Sequence, residues 1–268
     1  MTFNIHIPTE LLKPYIEAYC IVESQGDGAD LSNRVVPDTS IVMSLRYRGK
    51  VHDAACEDKK NTLPSSAFSG LQKSLRVFDY AKNTGNILVV FKEAYASAFF
   101  KVPFHEIFGQ IVPLDNVISH QSVSILEEQL AEASCNQERI AVIEKYLLAK
   151  LDDRKPDKLI FAAIQRIRLA KGVIKMKDLA NSLNISQDPF EKRFRRVIGA
   201  SPKQFSSTIR MKSIISCTQQ QHSLATMALD AGYFDQPHFN KEFKLFTGQT
   251  PTVFFKAPSV LKINDFLQ

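Results

Sequence analysis

Two groups of side chains in the last third of the chain could do chemistry together. Gln187, Asp188, Glu191, Lys192 and Arg195 form one, and Gln236, His238, Asn240, Lys241 and Lys244 form the other. Within each group the spacing places them on one face of a helix, opposite a stripe of phenylalanines. Arg, Lys, Gln and Asn have the reach and donor patterns to read base edges in a major groove and to neutralise phosphates. One such face alone is indistinguishable from an ordinary solvated surface. Two, at matching places in two copies of one unit, favour nucleic acid.

The unit is a repeat. GASPKQF, residues 199–205, and GQTPTVF, residues 248–254, share Gly, a hydroxyl residue, Pro and Phe at fixed offsets. Phe190, Phe194, Gly199, Pro202 and Phe205 match Phe239, Phe243, Gly248, Pro251 and Phe254, each pair 49 positions apart. Ala180 and Ala228 are only 48 apart, so the second copy carries one extra residue in its inner turn. Each copy reads as helix, tight turn, helix. In the first, Leu179, Ala180 and Leu183 share a face and Asn184 stops the helix. Ser186 then caps the next helix, Pro189 falls in its first turn, and Phe190, Phe194 and Val197 form its stripe up to Gly199. In the second, Met227, Ala228, Ala231 and Gly232 lead to the cap Asp235, to Pro237, to the stripe Phe239, Phe243 and Phe246, and to Gly248. The small Ala and the turn Gly allow the close crossing that a helix-turn-helix needs.

Composition bounds the rest. A chain of 268 residues with 44% hydrophobic and 23% charged residues is long enough for about two domains. The net charge of +6 is uneven. From Asp157 onward 17 Lys and Arg face 8 Asp and Glu, net +9, while residues 1–156 hold 17 against 20, net −3. A basic half beside a mildly acidic one suits a polyanion-binding module joined to something else. The start MTFNIHIPTELLKP lacks the pattern of a signal peptide, and the apolar patches 87–91 and 94–100 are too short to span a bilayer. No membrane association is expected. Cys20, Cys56, Cys135 and Cys217 are scattered without zinc-ligand spacing, so free thiols in a reducing, cytoplasmic setting are expected.

The segment from about Lys158 to Lys256 resembles the DNA-binding domain of the AraC/XylS transcription regulators. DLANSLNIS with its following F–F–G–SP–F, and MALDAGYFDQPHFNKEFKLFTGQTP, are similar to the two helix-turn-helix signatures of that family, in order. PKQFSSTIRMKSIISCTQQ fits the linking helix, with Arg210 at the family's basic position. The resemblance implies motifs at about 175–198 and 223–247, each placing its second helix in a major groove, about one DNA turn apart. Base reading then falls to Asp188, Glu191 and Lys192 in the first helix and Gln236, Asn240 and Lys241 in the second. Ser186, Arg195, Arg210, His238 and Lys244 serve phosphate contact and positioning. Two acidic reading positions in the first helix depart from the family, where Gln, Arg or a large side chain is usual. A carboxylate there accepts from a cytosine amino group, or Glu191 simply pairs with Arg195 four residues on. The second motif is expected to carry more of the sequence reading.

Residues 20–110 read as β-rich. The segments 40–48, 75–80 and 87–91 are strands by alternation or by continuous apolar character, separated by Gly, Pro and Asn turns. RVVPDTSIVMSLRYRG followed by FSGLQ looks like a cupin-like jelly roll of the same family. His6, His52, His105 and His120 are too dispersed for a metal-binding cupin, and no nucleophile elbow, P-loop or dinucleotide fingerprint is present. No catalytic site, metal or cofactor is expected. A barrel interior is a place for a small-molecule effector of unstated identity. From Ser119 to Leu151 apolar residues recur at helical spacing, with Ile125, Leu126, Leu130, Ile140, Ile143, Leu147 and Leu151 on the stripe. That stripe either makes a homodimer or domain contact, as in the family, or packs on its own barrel. Residues 152–157 read as a linker.

The expected fold is α+β and multidomain. A β-rich cupin-like domain (1–118) is followed by a helical linker or dimerisation segment (119–157) and an all-α tandem helix-turn-helix domain (158–268). The expected function is sequence-specific transcription regulation, as an activator that recruits RNA polymerase on family precedent. The rivals are a cupin-type enzyme with a DNA-tethering C-terminal domain and a non-specific architectural DNA binder, whose affinity would fall steeply with salt and barely discriminate sequences.

Overall fold

The computed structural model describes residues 1–25, 31–54, 61–152, 157–216 and 224–256. Cys56, Cys217, most of the 152–157 linker and the end of the linking-helix sequence lie outside the described residues. The expected α+β architecture is the one observed. Ten strands among the described residues form two antiparallel sheets: β1 (Thr2–His6), β2 (Ile16–Glu23), β3 (Leu31–Val35), β4 (Val42–Arg48), β5 (Val51–Asp53), β6 (Asn61–Thr62), β7 (Ser66–Ser69), β8 (Arg76–Tyr80), β9 (Gly85–Phe91) and β10 (Ile111–Pro113). One sheet runs β1-β2-β9-β4-β7-β10 and the other β3-β8-β5-β6.

β4 shows how alternation builds the layers. Met43 and Leu45 point to one face and are fully buried in the main core. Val42, Ser44 and Arg46 point to the other, into a cavity of about 170 Å³ between the two sheets. The opposing sheet supplies Val35, Val51, Phe78 and Tyr80 to the same cavity, and burial raises the Tyr80 phenol pKa.

Two helices, α1 (His120–Glu132) and α2 (Asn136–Lys150), cover the larger sheet. Leu126, Leu130, Ile143 and Leu147 are buried in one core with Met43 and Leu45. Of the two readings open for this stripe, packing on its own sheet is what these residues do; Ile125 and Leu148 remain exposed on the outside of the pair. No helix among the described residues is long and apolar enough to cross a membrane.

The remaining helices are α3 (Lys158–Leu169), α4 (Met176–Ser182), α5 (Gln187–Ile198), α6 (Pro202–Ser216), α7 (Leu224–Asp230), α8 (Gln236–Thr247) and α9 (Pro251–Lys256). Asp157 starts α3 by accepting from the amides of Leu159 and Ile160, and it also holds the Arg193 guanidinium of α5 at 2.6 and 3.0 Å.

The helical part is pressed against the β part in several places. Phe104, in a short 3-10 turn, stands against Gly199 at the end of α5, and α5 and that turn share the main core. Arg168 of α3 forms a forked pair with Glu93 at 2.5 and 3.0 Å, and the rings of Tyr95 and Phe161 lie 4.9 Å apart. Further along, the Leu75 amide donates to the Leu245 carbonyl of α8 at 3.2 Å. Lys212 of α6 donates to Asp38 at 2.7 Å. Val36, beside Asp38, is buried among Met211, Ile214, Phe239 and Phe243. The hydrophobic interior is therefore divided. The β sheet, α1, α2 and the first helix pair share one core, and the second helix pair has another.

Candidate nucleic-acid interface

The two copies build the same pair of helices. α4 and α7 are each seven residues long, and α5 and α8 each twelve. α5 ends at Gly199 and α8 at Gly248, both left-handed, with φ of 88° and 78°, and each cap amide donates back to the fourth residue before it, Arg195 or Lys244. Only glycine takes that conformation without strain, which is why the repeat keeps it twice. Asp235 caps α8 as expected, accepting from the His238 amide at 2.7 Å. Ser186 occupies the cap position of α5, but its side chain makes no cap hydrogen bond. Asp188 lies in the first turn of α5, where a carboxylate suits the positive end of the helix dipole.

The buried stripes carry the helices. Phe190 and Phe194 are fully buried, their rings 5.7 Å apart, and Phe205 of α6 packs on Phe194 at 5.5 Å. The stripe ends on Ile198 and not on the expected Val197, which is half-buried. Helical spacing admits either, because 194 to 197 and 194 to 198 are both one turn. In α8, Phe239 and Phe243 lie 5.6 Å apart, and Phe254 closes on Phe243 at 5.2 Å.

On the outer faces, Ser186, Asp188, Lys192 and Arg195 are exposed on the first motif, and Gln236, His238, Lys241 and Lys244 on the second. Glu191 is half-buried and accepts from Gln187 at 3.1 Å within its own helix; this, and not Arg195, is its partner. Asn240 is half-buried, with its Oδ1 shielded and without a hydrogen-bond partner among the described residues. Two groups of cationic and amide side chains are thus displayed on two helices braced from behind.

Arg210, expected among the phosphate-contact and positioning residues, is turned toward α8. Its guanidinium lies 4.1 Å over the Tyr233 ring and donates to Glu242 Oε2 at 3.1 Å. Tyr233 donates to the same oxygen at 2.6 Å, and burial followed by that hydrogen bond raises the phenol pKa. Arg210 therefore ties α6 to α8 and directs its charge inward, where a phosphate would have to compete with Glu242. Sequence alone misses this cluster, since a basic residue on a linking helix looks the same whichever way it turns. Arg210→Ala is expected to lower stability by about 2 kcal/mol, the range for hydrogen bonds to charged groups. The slope of log affinity against log salt is expected to stay unchanged. A slope reduced by about one would return Arg210 to the phosphate contacts.

Comparison with known proteins places the two halves separately. Residues 179–257 match a helix-turn-helix domain profile, and residues 4–113 match a domain of unknown function, DUF6597. An uncharacterized HTH-type transcriptional regulator of Haemophilus influenzae is 28% identical over 120 residues, which is 44% of this chain and 39% of that protein. The chain thus spans about two fifths of the length of that curated relative. Among solved structures, an AraC-type DNA-binding domain protein of Chromobacterium violaceum is 17% identical over 38% of this chain and 93% of its own, with a TM-score of 0.35. ToxT of Vibrio cholerae is 12% identical over 89% of this chain and 97% of its own, with a TM-score of 0.40. Residues 179–257, which hold the paired motifs, are thus a helix-turn-helix domain by family match.

Proposed function

We propose that this protein is a sequence-specific DNA-binding transcription regulator that sets α5 and α8 in two successive major grooves. The observation that carries the reading is the duplicated pair of twelve-residue helices, each stopped by a left-handed glycine, buried by phenylalanines and faced with exposed cations and amides. Asp188, Glu191, Lys192, Gln236, Asn240 and Lys241 are the base-reading positions, and Ser186, Arg195, His238 and Lys244 hold the backbone. The experiment is selection of bound duplexes from a random DNA pool at near-physiological salt. An enriched site with two boxes about one helical turn apart is expected. Binding without enrichment that vanishes as salt rises would replace this reading with the non-specific architectural one.

The finer role is activation in the cytoplasm by contact with RNA polymerase, without enzymatic activity. Homodimer contact falls to the outer face of α1 and α2, where Ile125 and Leu148 are exposed. The inter-sheet cavity is the site of a small-molecule effector. Its lining is mostly apolar, with polar side chains among which are Arg46, Asn86 and Asp38. Arg46 donates to the Leu63 carbonyl at 2.9 Å, and burial lowers its basicity. The cavity also has a route to the DNA-binding half. Val36 and Asp38 line it, and the same two residues pack on the second motif's core and hold Lys212.

A further inference from the structure

The two copies differ in length by one residue, and the structure identifies which. Ala180, Asn184 and Ile185 correspond to Ala228, Gly232 and Tyr233, each 48 positions on, whereas the caps Ser186 and Asp235 are 49 apart. The backbone keeps the same correspondence. Asn184 and Gly232 are both left-handed, with φ of 55° and 73°. The Ile185 amide donates to the Ala180 carbonyl at 3.2 Å, as the Tyr233 amide does to Ala228 at 2.9 Å. The extra residue is therefore Phe234.

Phe234 is 92% exposed, more than any other large hydrophobic side chain among the described residues. Its neighbours leave it little freedom to turn in. Tyr233 before it is anchored in the second motif's core, and Asp235 after it is the cap of α8. The ring is held out at the N-terminal mouth of α8. Leaving a phenylalanine uncovered forgoes its transfer free energy, so a surface that covers it gains. The exposed face of α8, the helix that it precedes, names the surface. Gln236, His238, Lys241 and Lys244 are exposed on the same helix, a face complementary to a polyanion. In helix-turn-helix docking the N-terminal end of the second helix is the part that reaches base edges. The one major-groove signal that an apolar side chain can read is the C5 methyl of thymine.

We propose that Phe234 is a specificity-determining residue that reads a thymine methyl in the DNA box bound by the second motif. The inference rests on the DNA-reading function proposed above. The first motif has no residue in the corresponding place, so the contact belongs to one box only.

The test replaces each thymine of the selected two-box duplex by deoxyuridine, one at a time, which removes a methyl and leaves every hydrogen bond. For the unmodified chain, one position in the second box should weaken binding about fourfold, the value of one buried methyl. Phe234→Ala should bind the thymine and deoxyuridine duplexes equally, and Phe234→Leu should retain part of the difference. Thermal unfolding should be unchanged in both variants, since the side chain is exposed. No methyl-sensitive position, or a sensitivity that survives in Phe234→Ala, would overturn the proposal while leaving DNA reading intact. Unaltered methyl sensitivity in Phe234→Ala together with lost activation in a purified transcription assay would assign the ring to a protein partner instead. Failure of the unmodified chain to select any site would remove the DNA-reading function itself.

Discussion

Phe194→Ala is expected to destabilise most of the molecule, while Phe243→Ala is expected to melt only the second motif. Both side chains are fully buried, and truncating a core phenylalanine costs about 3–5 kcal/mol. The difference lies in what each core contains. Phe194 belongs to the interior that also holds Met43, Phe91 and Phe104 of the β part and Leu126 of α1. A cavity there is felt by the sheet and the first motif together. Phe243 packs with Phe239, Phe254 and Phe255, and among the described residues the β part meets that cluster through Val36 and the half-buried Leu75. Amide hydrogen exchange read segment by segment separates the cases. Faster exchange should spread over β4, β9 and α5 in the first variant and be confined to α7, α8 and α9 in the second. Uniform loss of protection in both would show that the two interiors open as one.

Lys241→Ala is expected to lower affinity for the selected duplex about tenfold or more, with Glu191→Ala changing it less than about threefold. A lysine in place over guanine contributes about 1–3 kcal/mol of discrimination, and Lys241 is exposed near the middle of α8. Glu191 is already satisfied by Gln187 and half-buried, so it has less to offer a base. Competition gel shifts at one fixed salt concentration measure both. Equal losses would show that the two helices share the reading evenly and that the carboxylate meets a cytosine amino group.

The features that local chemistry dictates were legible in the sequence. Gly199 and Gly248 stop helices because the cap needs a left-handed residue, Asp235 caps because an oxygen must meet the His238 amide, and the phenylalanine stripes follow the helical period. β4 was legible because one face meets helices and the other a cavity. What could not be read comes from contacts between distant positions. Asp38 and Lys212 are 174 residues apart, and Glu93 and Arg168 are 75 apart; neither pair leaves a periodic trace. The inward turn of Arg210 depends on Tyr233 and Glu242 arriving from the other side of a helix crossing. The extra residue of the second copy was visible as a shift from 48 to 49. Its identity as Phe234 required seeing which amide–carbonyl bonds the two turns share.

The continuous core of the β sheet and the first motif bears on how the protein can be taken apart. Composition suggests a cut near Asp157, where the charge balance changes from −3 to +9. Packing puts no boundary there. A fragment starting at that point would keep the cations of the C-terminal half and would bare the apolar surface that Phe104, Tyr95 and Val36 now cover. Such a piece combines high positive charge with a sticky flank, the recipe for indiscriminate adsorption to DNA and for self-association. Binding measured on it would describe the wound left by the scissors and not the selectivity of the whole chain.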